Sequence, residues 1–247
     1  MRRKGLRLNH QAKQTSRVMA QYELKTREGV NWVEVTLNNE MVRTESGAMR
    51  YIIGNIAMES KASQGGSGGL LGGLMKAAIT GETLFRPQYT GQGKLVLEPT
   101  LTNFFVLQLN NEEYILDRGA YWASDGSIEV SAKRNQAVAG IMGGEGLFQT
   151  AVRGSGVVVV QTPGPVEVLD LVNQRLVVDG TFAVARSGSL NYRVEKSTKS
   201  LLGSMTSGEG FVNVLEGTGR VYLAPVPNLY VMLQNMMASM VPTSSGG

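Results

Sequence analysis

The chain contains no cysteine, which excludes disulfide bonds, thiolate zinc sites, iron–sulfur clusters and cysteine nucleophiles. It has a single histidine, His10. One histidine cannot supply a site with several histidine ligands, and its place in a basic segment argues against a Ser-His-Asp triad. The residue types that most often carry catalysis are therefore scarce. We expect a protein that is not an enzyme and that holds neither a metal nor a cofactor.

Long apolar runs are also lacking. No stretch of about 18 apolar residues is present, so the sequence predicts no transmembrane helix. The first residues lack the apolar core of a secretory signal peptide. These patterns predict a cytoplasmic protein that reaches a membrane, if at all, only at its surface.

The positive charge is confined to one end of the chain. Residues 1–20 carry no acidic side chain and six basic ones: Arg2, Arg3, Lys4, Arg7, Lys13 and Arg17. Removing these six from the 24 basic residues leaves 18 against 20 acidic residues, a net charge of −2. We predict a disordered basic tail over 1–20. Nucleic-acid binding is not expected of the rest of the chain and would depend on this tail alone.

A glycine-rich word recurs at a fixed spacing. The words are Gly91-Gln92-Gly93, Gly154-Ser155-Gly156 and Gly217-Thr218-Gly219, and their first glycines are 63 residues apart both times. A period of this size predicts a structural repeat. An apolar β run follows each word instead of a helix, so we interpret the glycines as hairpin turns and not as a phosphate-binding loop.

A second set of words divides each repeat in two. Leu37-Asn38-Asn39-Glu40 returns as Leu109-Asn110-Asn111-Glu112, and more weakly as Leu171-Val172-Asn173-Gln174. We interpret the asparagines as turns, because asparagine tolerates left-handed backbone. Tyr22 to Leu37 is interpreted as a half-buried strand. The approximate units are 33–100, 105–164 and 167–226, within one β domain over 21–227. Short strands between frequent turns predict an all-β sandwich, barrel or prism with pseudo-threefold symmetry.

The last part of the chain differs from the repeats. Residues 228–241 place six apolar side chains on one helical face and predict a short amphipathic helix, while 242–247 is expected to be a loose tail. The face consists of Leu229, Met232, Leu233, Met236, Met237 and Met240. Docking on the β domain and use against a partner both remain open.

Two sets of equivalent side chains are candidate functional residues. The pair Gly-Glu occurs at 81–82, 144–145 and 208–209, and a small apolar patch rich in glycine precedes each of these Gly-Glu words. From these patches we select Leu70, Leu71, Leu74, Ile141, Met142, Leu201 and Leu202. Exposed, they would contact a membrane or a partner; buried, they would close a barrel or an oligomer interface. The Gly-Glu words themselves supply Glu82, Glu145 and Glu209, which form either a polar ring or three unrelated turn contacts.

These words together resemble a known family. The run Gly-Gly-Leu-Met-Lys-Ala-Ala-Ile-Thr-Gly-Glu-Thr-Leu-Phe at 72–85, followed by Gly91-Gln92-Gly93, is similar to the altered-inheritance-of-mitochondria family of bacterial and mitochondrial proteins. The resemblance covers roughly residues 20–226. It implies an all-β fold of the kind called TRAP-like and homo-oligomers, with a trimer as the first expectation. It supplies no catalytic residues.

The residues and the resemblance together predict a non-enzymatic scaffold or interaction protein. The resemblance adds an association of eukaryotic members with the mitochondrial inner membrane, so the apolar patches could contact a membrane surface or a membrane complex. One alternative is a ligand-binding or enzymatic barrel that uses Glu82, Glu145 and Glu209. A third hypothesis is nucleic-acid binding by residues 1–20.

Overall fold

The computed structural model describes residues 19–59, 86–134, 148–179, 182–196 and 211–226. Within these ranges all regular structure is β-strand and no helix is present, which confirms the all-β prediction there. The twelve strands are β1 Gln21–Arg27, β2 Val30–Thr44, β3 Met49–Glu59, β4 Gln88–Leu97, β5 Asn103–Leu116, β6 Tyr121–Asp125, β7 Glu129–Arg134, β8 Phe148–Thr162, β9 Glu167–Asp179, β10 Ala183–Ser187, β11 Asn191–Lys196 and β12 Phe211–Leu223.

The strands form one open antiparallel sheet. Its path runs β11-β12-β10-β5-β8-β6-β2-β4-β3, while β1 pairs with β2, β7 with β8 and β9 with β12. Three long strands, β4, β8 and β12, each pair along their length with the strands that precede them in sequence. Each long strand and the strands that precede it form one block, so the three blocks are β1–β4, β5–β8 and β9–β12. Shorter pairings connect these blocks: β2 pairs with β6, and β5 pairs with β10.

The long strand β2 changes its inward-facing side halfway along. Val33, Val35 and Leu37 are buried in its first half, whereas Val42 and Thr44 are buried in its second half. The buried positions switch from odd to even numbers because the register with β4 shifts between Asn38 and Met41. An extra residue in a strand reverses which side chains face the core beyond it. The bulge thus keeps both halves of β2 apolar toward the interior.

The asparagine words are these bulges, so their interpretation as turns between strands is wrong. Asn39, Asn111 and Asn173 have positive φ of 74°, 58° and 50°, which confirms the predicted left-handed backbone. The register shifts in β2 and β5 fall at these words. The side chain that ends each word accepts a hydrogen bond from the first bulge N–H, as Glu112 does from Asn110 at 3.2 Å. Gln174 accepts from Val172 in the same way.

The glycine words also lie inside strands, and their interpretation as hairpin turns is wrong. Gly91 and Gly93 stand within β4 with φ of 142° and 148°. A Cβ on Gly93 would lie 2.2 Å from the Ile53 carbonyl oxygen of β3. The glycines therefore permit two backbones to approach closely across the sheet, while the strand continues on both sides.

The segment from Tyr22 to Leu37 holds two strands instead of one. Glu28 and Gly29 have φ of 52° and 80° and make a tight hairpin turn between β1 and β2. Two consecutive residues with positive φ are the requirement of the turn type that fits the twist of a hairpin. β1 consequently folds back along β2.

Three clusters of apolar side chains form the core of the described residues. Core cluster 1 contains Val33, Val35, Leu37, Val42, Tyr89, Leu95 and Leu97, with Ala123 and Val159 from the following block. Core cluster 2 contains Leu107, Leu109, Tyr114, Leu116 and Val158 with others of β5 to β8, joined by Val184, Ala185 and Tyr222 from the block after it. Core cluster 3 is smaller and contains Leu171, Val178, Leu190, Leu215 and Val221. Clusters 1 and 2 thus each take side chains from the next block.

Several sequence predictions fall outside the described residues. These are the predicted helix over 228–241, the tail over 242–247 and nearly all of the basic tail over 1–20. The pseudo-threefold arrangement stays a prediction.

Candidate interaction surface

All the candidate contact and ring residues lie outside the described residues. This holds for Leu70, Leu71, Leu74, Ile141, Met142, Leu201 and Leu202, and for Glu82, Glu145 and Glu209. The structure places only the strand ends on either side of them. The pairs of flanking residues are Glu59 with Gln88, Arg134 with Phe148, and Lys196 with Phe211. Each candidate segment therefore connects two antiparallel strands whose ends are hydrogen-bonded neighbours.

Among the residues that the structure describes, no group of three acidic or histidine side chains could hold a metal ion. The same residues include no helix long and apolar enough to cross a membrane. The notable polar groups are instead two buried clusters where the first two blocks of the sheet meet.

The first buried cluster joins β1 to β6. Asp125 is only 5 % exposed and accepts hydrogen bonds from the Tyr22 hydroxyl at 3.1 Å and the Val157 amide at 2.7 Å. Burial raises the pKa of Asp125, although both hydrogen bonds act in the opposite direction. Burial, followed by the nearby Asp125 carboxylate, raises the pKa of Tyr22 well above its usual value. The cluster fixes the N-terminal hairpin against the neighbouring block.

The raised pKa of Asp125 predicts a pH effect on stability. The pKa of Asp125 is higher in the folded protein than its ordinary value of 3.8. Its contribution to the free energy of unfolding is therefore complete below pH 3.8 and is lost as pH rises through the folded pKa. An amide in place of this carboxylate would keep an acceptor for the Val157 N–H without a charge. We therefore expect the free energy of unfolding of Asp125→Asn, relative to that of the wild type, to increase as pH rises from 3.8 to neutrality. Urea unfolding of both proteins across this range measures the difference.

Asp170→Asn is the matched control for this measurement. Asp170 is exposed, and its hydrogen bonds with Arg220 lower its pKa. Its stabilising contribution is present above the ordinary carboxyl pKa and lost as pH falls, so the sign is the reverse of that for Asp125. A stability difference for Asp125→Asn that shrinks with rising pH would contradict the prediction.

The second buried cluster surrounds Arg86, whose side chain is only 6 % exposed. Its guanidinium forms an ion pair with Glu45 and lies 4.0 Å from the centre of the Tyr121 ring. The Tyr121 hydroxyl is 2.9 Å from that of Ser124, and burial raises the pKa of Tyr121 to about 12. Arg86 is also 3.5 Å from the Thr150 hydroxyl. The contacts connect the start of β4 to β6 and β8.

Sequence reasoning missed both clusters. In the first cluster Tyr22 lies 103 residues away from Asp125 in the chain. An acidic residue between the apolar run 121–123 and a glycine was the available signal. Nothing in the sequence indicates which aromatic side chain would reach it. Both clusters are occupied by contacts between strands, so we assign them a structural role.

Exposed apolar side chains are concentrated on two strands. β3 carries Tyr51, Ile53 and Met58, which are 43 %, 60 % and 52 % exposed. β9 carries Val168, Val172 and Val177, also exposed. Within the described residues β3 pairs only with β4, and β9 pairs only with β12. Each strand therefore has one edge whose backbone groups have no strand partner there, and such edges can accept another strand.

Next to the β9 edge, the charged residues are already paired with one another. Arg193 donates to both carboxylate oxygens of Glu216, at 2.6 and 2.7 Å, and also pairs with Glu195. The hydrogen bonds from Arg193 lower the pKa values of both glutamates. Arg175 adds a contact to each glutamate, at 3.1 and 3.2 Å. These charged side chains are paired with one another, so the apolar edge is the better candidate for an interface.

Comparison with known proteins identifies the family of this chain. The family model described as mitochondrial biogenesis AIM24 matches residues 22–226. The chain belongs to the AIM24 family. The matched range includes the twelve strands except Gln21, the first residue of β1, so the edges of β3 and β9 lie within the part that the family shares.

Relatives of this AIM24-family chain occur in Streptococcus pyogenes. A protein of the serotype M6 strain, described as uncharacterized, is 30 % identical over 198 residues, covering 77 % of this chain and 79 % of the relative. The crystal structure of a protein from the same species has a TM-score of 0.70 and 26 % identity, covering 90 % of this chain and all of that chain. The resemblance seen in the sequence words is thereby confirmed.

Proposed function

We propose that this AIM24-family protein is a non-enzymatic scaffold that works by binding other macromolecules. The observation that carries the proposal is the pair of free strand edges on β3 and β9, which display apolar side chains up to 71 % exposed at Val172. Strand addition to such an edge supplies backbone hydrogen bonds, and the apolar side chains add buried area. The buried polar groups, by contrast, are engaged in contacts within the sheet.

A pseudo-threefold arrangement is the finer part of the proposal. The pairing of β4 with β3 has counterparts in β8 with β7 and in β12 with β11. Each of these pairs is joined by one of the apolar candidate segments. In a pseudo-threefold arrangement the three segments lie at one end of the molecule, where they form a single apolar surface suited to a membrane or a membrane complex.

The membrane contact leads to a flotation experiment. We expect the wild type to float with phosphatidylcholine vesicles, and Leu71→Ser/Leu202→Ser to remain largely in solution because two apolar side chains are lost. Vesicles without net charge are chosen so that the basic residues of 1–20 do not bind them by charge alone. Loss of about 3 kcal/mol of apolar contact predicts a decrease of about a hundredfold in partitioning.

The control is Leu101→Ser/Val226→Ser, which also removes two exposed apolar side chains. Leu101 is 83 % exposed and Val226 is 42 % exposed, and neither belongs to a candidate segment. This variant should float like the wild type. Absence of wild-type flotation would remove the membrane contact from the proposed function, and equal loss in both variants would show that the effect is not specific to the segments.

A further inference from the structure

Core cluster 2 is open on one side. Val168 of β9 lies opposite Tyr222 of β12, so their side chains point to the same side of the sheet. Tyr222 belongs to core cluster 2 and stacks on Phe105, with 5.0 Å between the ring centres. Val166 packs against the same cluster, yet Val168 remains 47 % exposed. We call Phe105, Val166, Val168 and Tyr222 the cluster 2 rim, because a side chain on the core-facing side there is still in contact with water.

The described part of the chain ends at this rim. Ala224 is buried in core cluster 2, and its N–H donates to the Phe182 carbonyl at 2.8 Å. Pro225 then passes so close to Gly164 that a Cβ on Gly164 would lie 2.6 Å from the Pro225 Cγ. Strands rise about 3.4 Å per residue and lie about 4.8 Å apart, which sets Val168 about 8 Å from Ala224. The residues that follow 226 therefore start within reach of the rim.

The segment that comes next has the apolar face that such a rim can accept. The helix predicted over 228–241 is short enough to be marginal in water by itself, so it needs a surface to pack on. Its first apolar residue, Leu229, follows Ala224 by five residues, which span at most about 17 Å. That span is about twice the distance from Ala224 to Val168. The apolar face consists mainly of methionines, whose flexible side chains fill irregular gaps.

The charge of the segment distinguishes between the surfaces it could cover. Residues 221–247 contain no charged side chain. Amphipathic helices that lie on membranes are rich in Lys and Arg on their polar face, and this one has neither. The rim residues are also uncharged, and the charged pair beside them, Arg220 and Asp170, is hydrogen-bonded together at 2.6 and 3.1 Å. An uncharged helix fits this rim better than it fits lipid headgroups.

We propose that residues 228–241 pack their apolar face on the cluster 2 rim of the same chain and close core cluster 2. The other end of the described chain shows the same arrangement. Ala20 is buried in core cluster 1, and Tyr22 packs against that cluster. Each end of the β domain thus completes one core. This contact is independent of the membrane contact proposed above, which uses Leu71 and Leu202.

Alkylation of a single thiol tests the contact, because the chain has no cysteine of its own. Val168→Cys is made in the full chain, alone and together with Met232→Ser/Met236→Ser, which weakens the apolar face of the helix. The rate of reaction with iodoacetamide is measured for both proteins. We expect the reaction to be at least about tenfold faster with the two methionines replaced, since burying an apolar side chain shifts an equilibrium by at least that factor.

Two controls isolate the helix face and the rim. Gln234→Ser/Asn235→Ser changes the opposite face of the same helix and should leave the Val168→Cys thiol protected. Ile53→Cys places a thiol on β3, where the native side chain is 60 % exposed, and its rate should not depend on the methionines. In the wild type, which needs no substitution, peroxide should oxidise Met232 and Met236 more slowly than Met19, which is 42 % exposed.

Disulfide formation identifies which chain supplies the cover. Val168→Cys is combined in the same chain with Met232→Cys or with Met236→Cys, and both double variants are oxidised mildly. At least one of them should form a disulfide within the chain, because residues packed on the rim come within the distance that a disulfide needs. Val168→Cys/Gln234→Cys is the matched control and should not form one.

Three results would overturn the proposal. Equal alkylation of Val168→Cys with and without the methionine substitutions shows that the helix does not cover the rim. Protection that develops only after phosphatidylcholine vesicles are added assigns the helix to a membrane. A disulfide that joins two chains and never forms within one assigns the cover to a second copy.

Discussion

Replacing Gly91 by alanine will destabilise the protein by about 3 to 5 kcal/mol, since backbone strain and overpacking each cost about 1 to 3 kcal/mol. Gly91 has φ of 142°, a conformation that L side chains rarely adopt. A Cβ there would lie 2.1 Å from the Asn55 carbonyl oxygen and 2.9 Å from the Ile56 Cα. Both atoms are backbone of β3, so neither can rotate away. Urea or thermal unfolding measures the loss.

Gly217→Ala is the matched control, because Gly217 holds the same position in the third glycine word. Its φ is 120°, but the nearest atom to a new Cβ is Leu190 Cδ2 at 3.9 Å. Backbone strain alone remains, and we expect a loss of about 1 to 2 kcal/mol. Equal losses at Gly91 and Gly217 would show that φ governs the cost and that close approach of β3 and β4 does not.

The glycine words show what a sequence period can and cannot predict. The spacing predicted equivalent positions, and Gly91, Gly154 and Gly217 all have positive φ. The period could not show whether such a backbone turns the chain or allows a neighbour to come close. That choice depends on the strand alongside: the Asn55 carbonyl next to Gly91 belongs to a residue 36 positions earlier.

The asparagine words illustrate the same limit. Left-handed asparagines in a word such as Asn110-Asn111-Glu112 are compatible with a turn or with a bulge. The bulge leaves β5 continuous over 14 residues, so the predicted short strands are too short. A signal for the bulge was nevertheless present. The apolar residues Leu107 and Leu109 precede the word at odd positions, and Tyr114 and Leu116 follow it at even positions.

The free edges could not be predicted from the sequence. Alternation of apolar residues shows that one face of a strand is buried, but it does not show how many neighbours the strand has. Tyr51 and Ile53 resemble other apolar strand residues in the sequence, yet they are exposed, and β3 ends the sheet. The predicted apolar contacts, by contrast, came from patches that recur before each Gly-Glu pair, and they fall between the described strands.

Removing the carboxylate of Glu45 is the second change with a large expected effect. The guanidinium of Arg86 is almost completely buried and has Glu45 as its only acidic ion-pair partner among the described residues. In Glu45→Ala, the contacts that this charge would keep among the described residues are the Tyr121 ring and the Thr150 hydroxyl. Breaking a buried pair costs about 3 to 5 kcal/mol, and because Glu45 is 35 % exposed we expect about 2 to 3 kcal/mol.

Two further variants separate the unpaired charge from the lost contact. Glu45→Gln retains an acceptor and should cost only about 1 kcal/mol. Glu45→Ala/Arg86→Met removes both charges and fills the space over Tyr121 with an apolar side chain, so much of the stability should return. A double variant as unstable as the sum of its single changes would contradict this account. Recovery of stability would show that the single change is costly because it leaves the charge of Arg86 buried and unpaired. The role of Glu45 would then be to neutralise that charge where the first two blocks of the sheet meet.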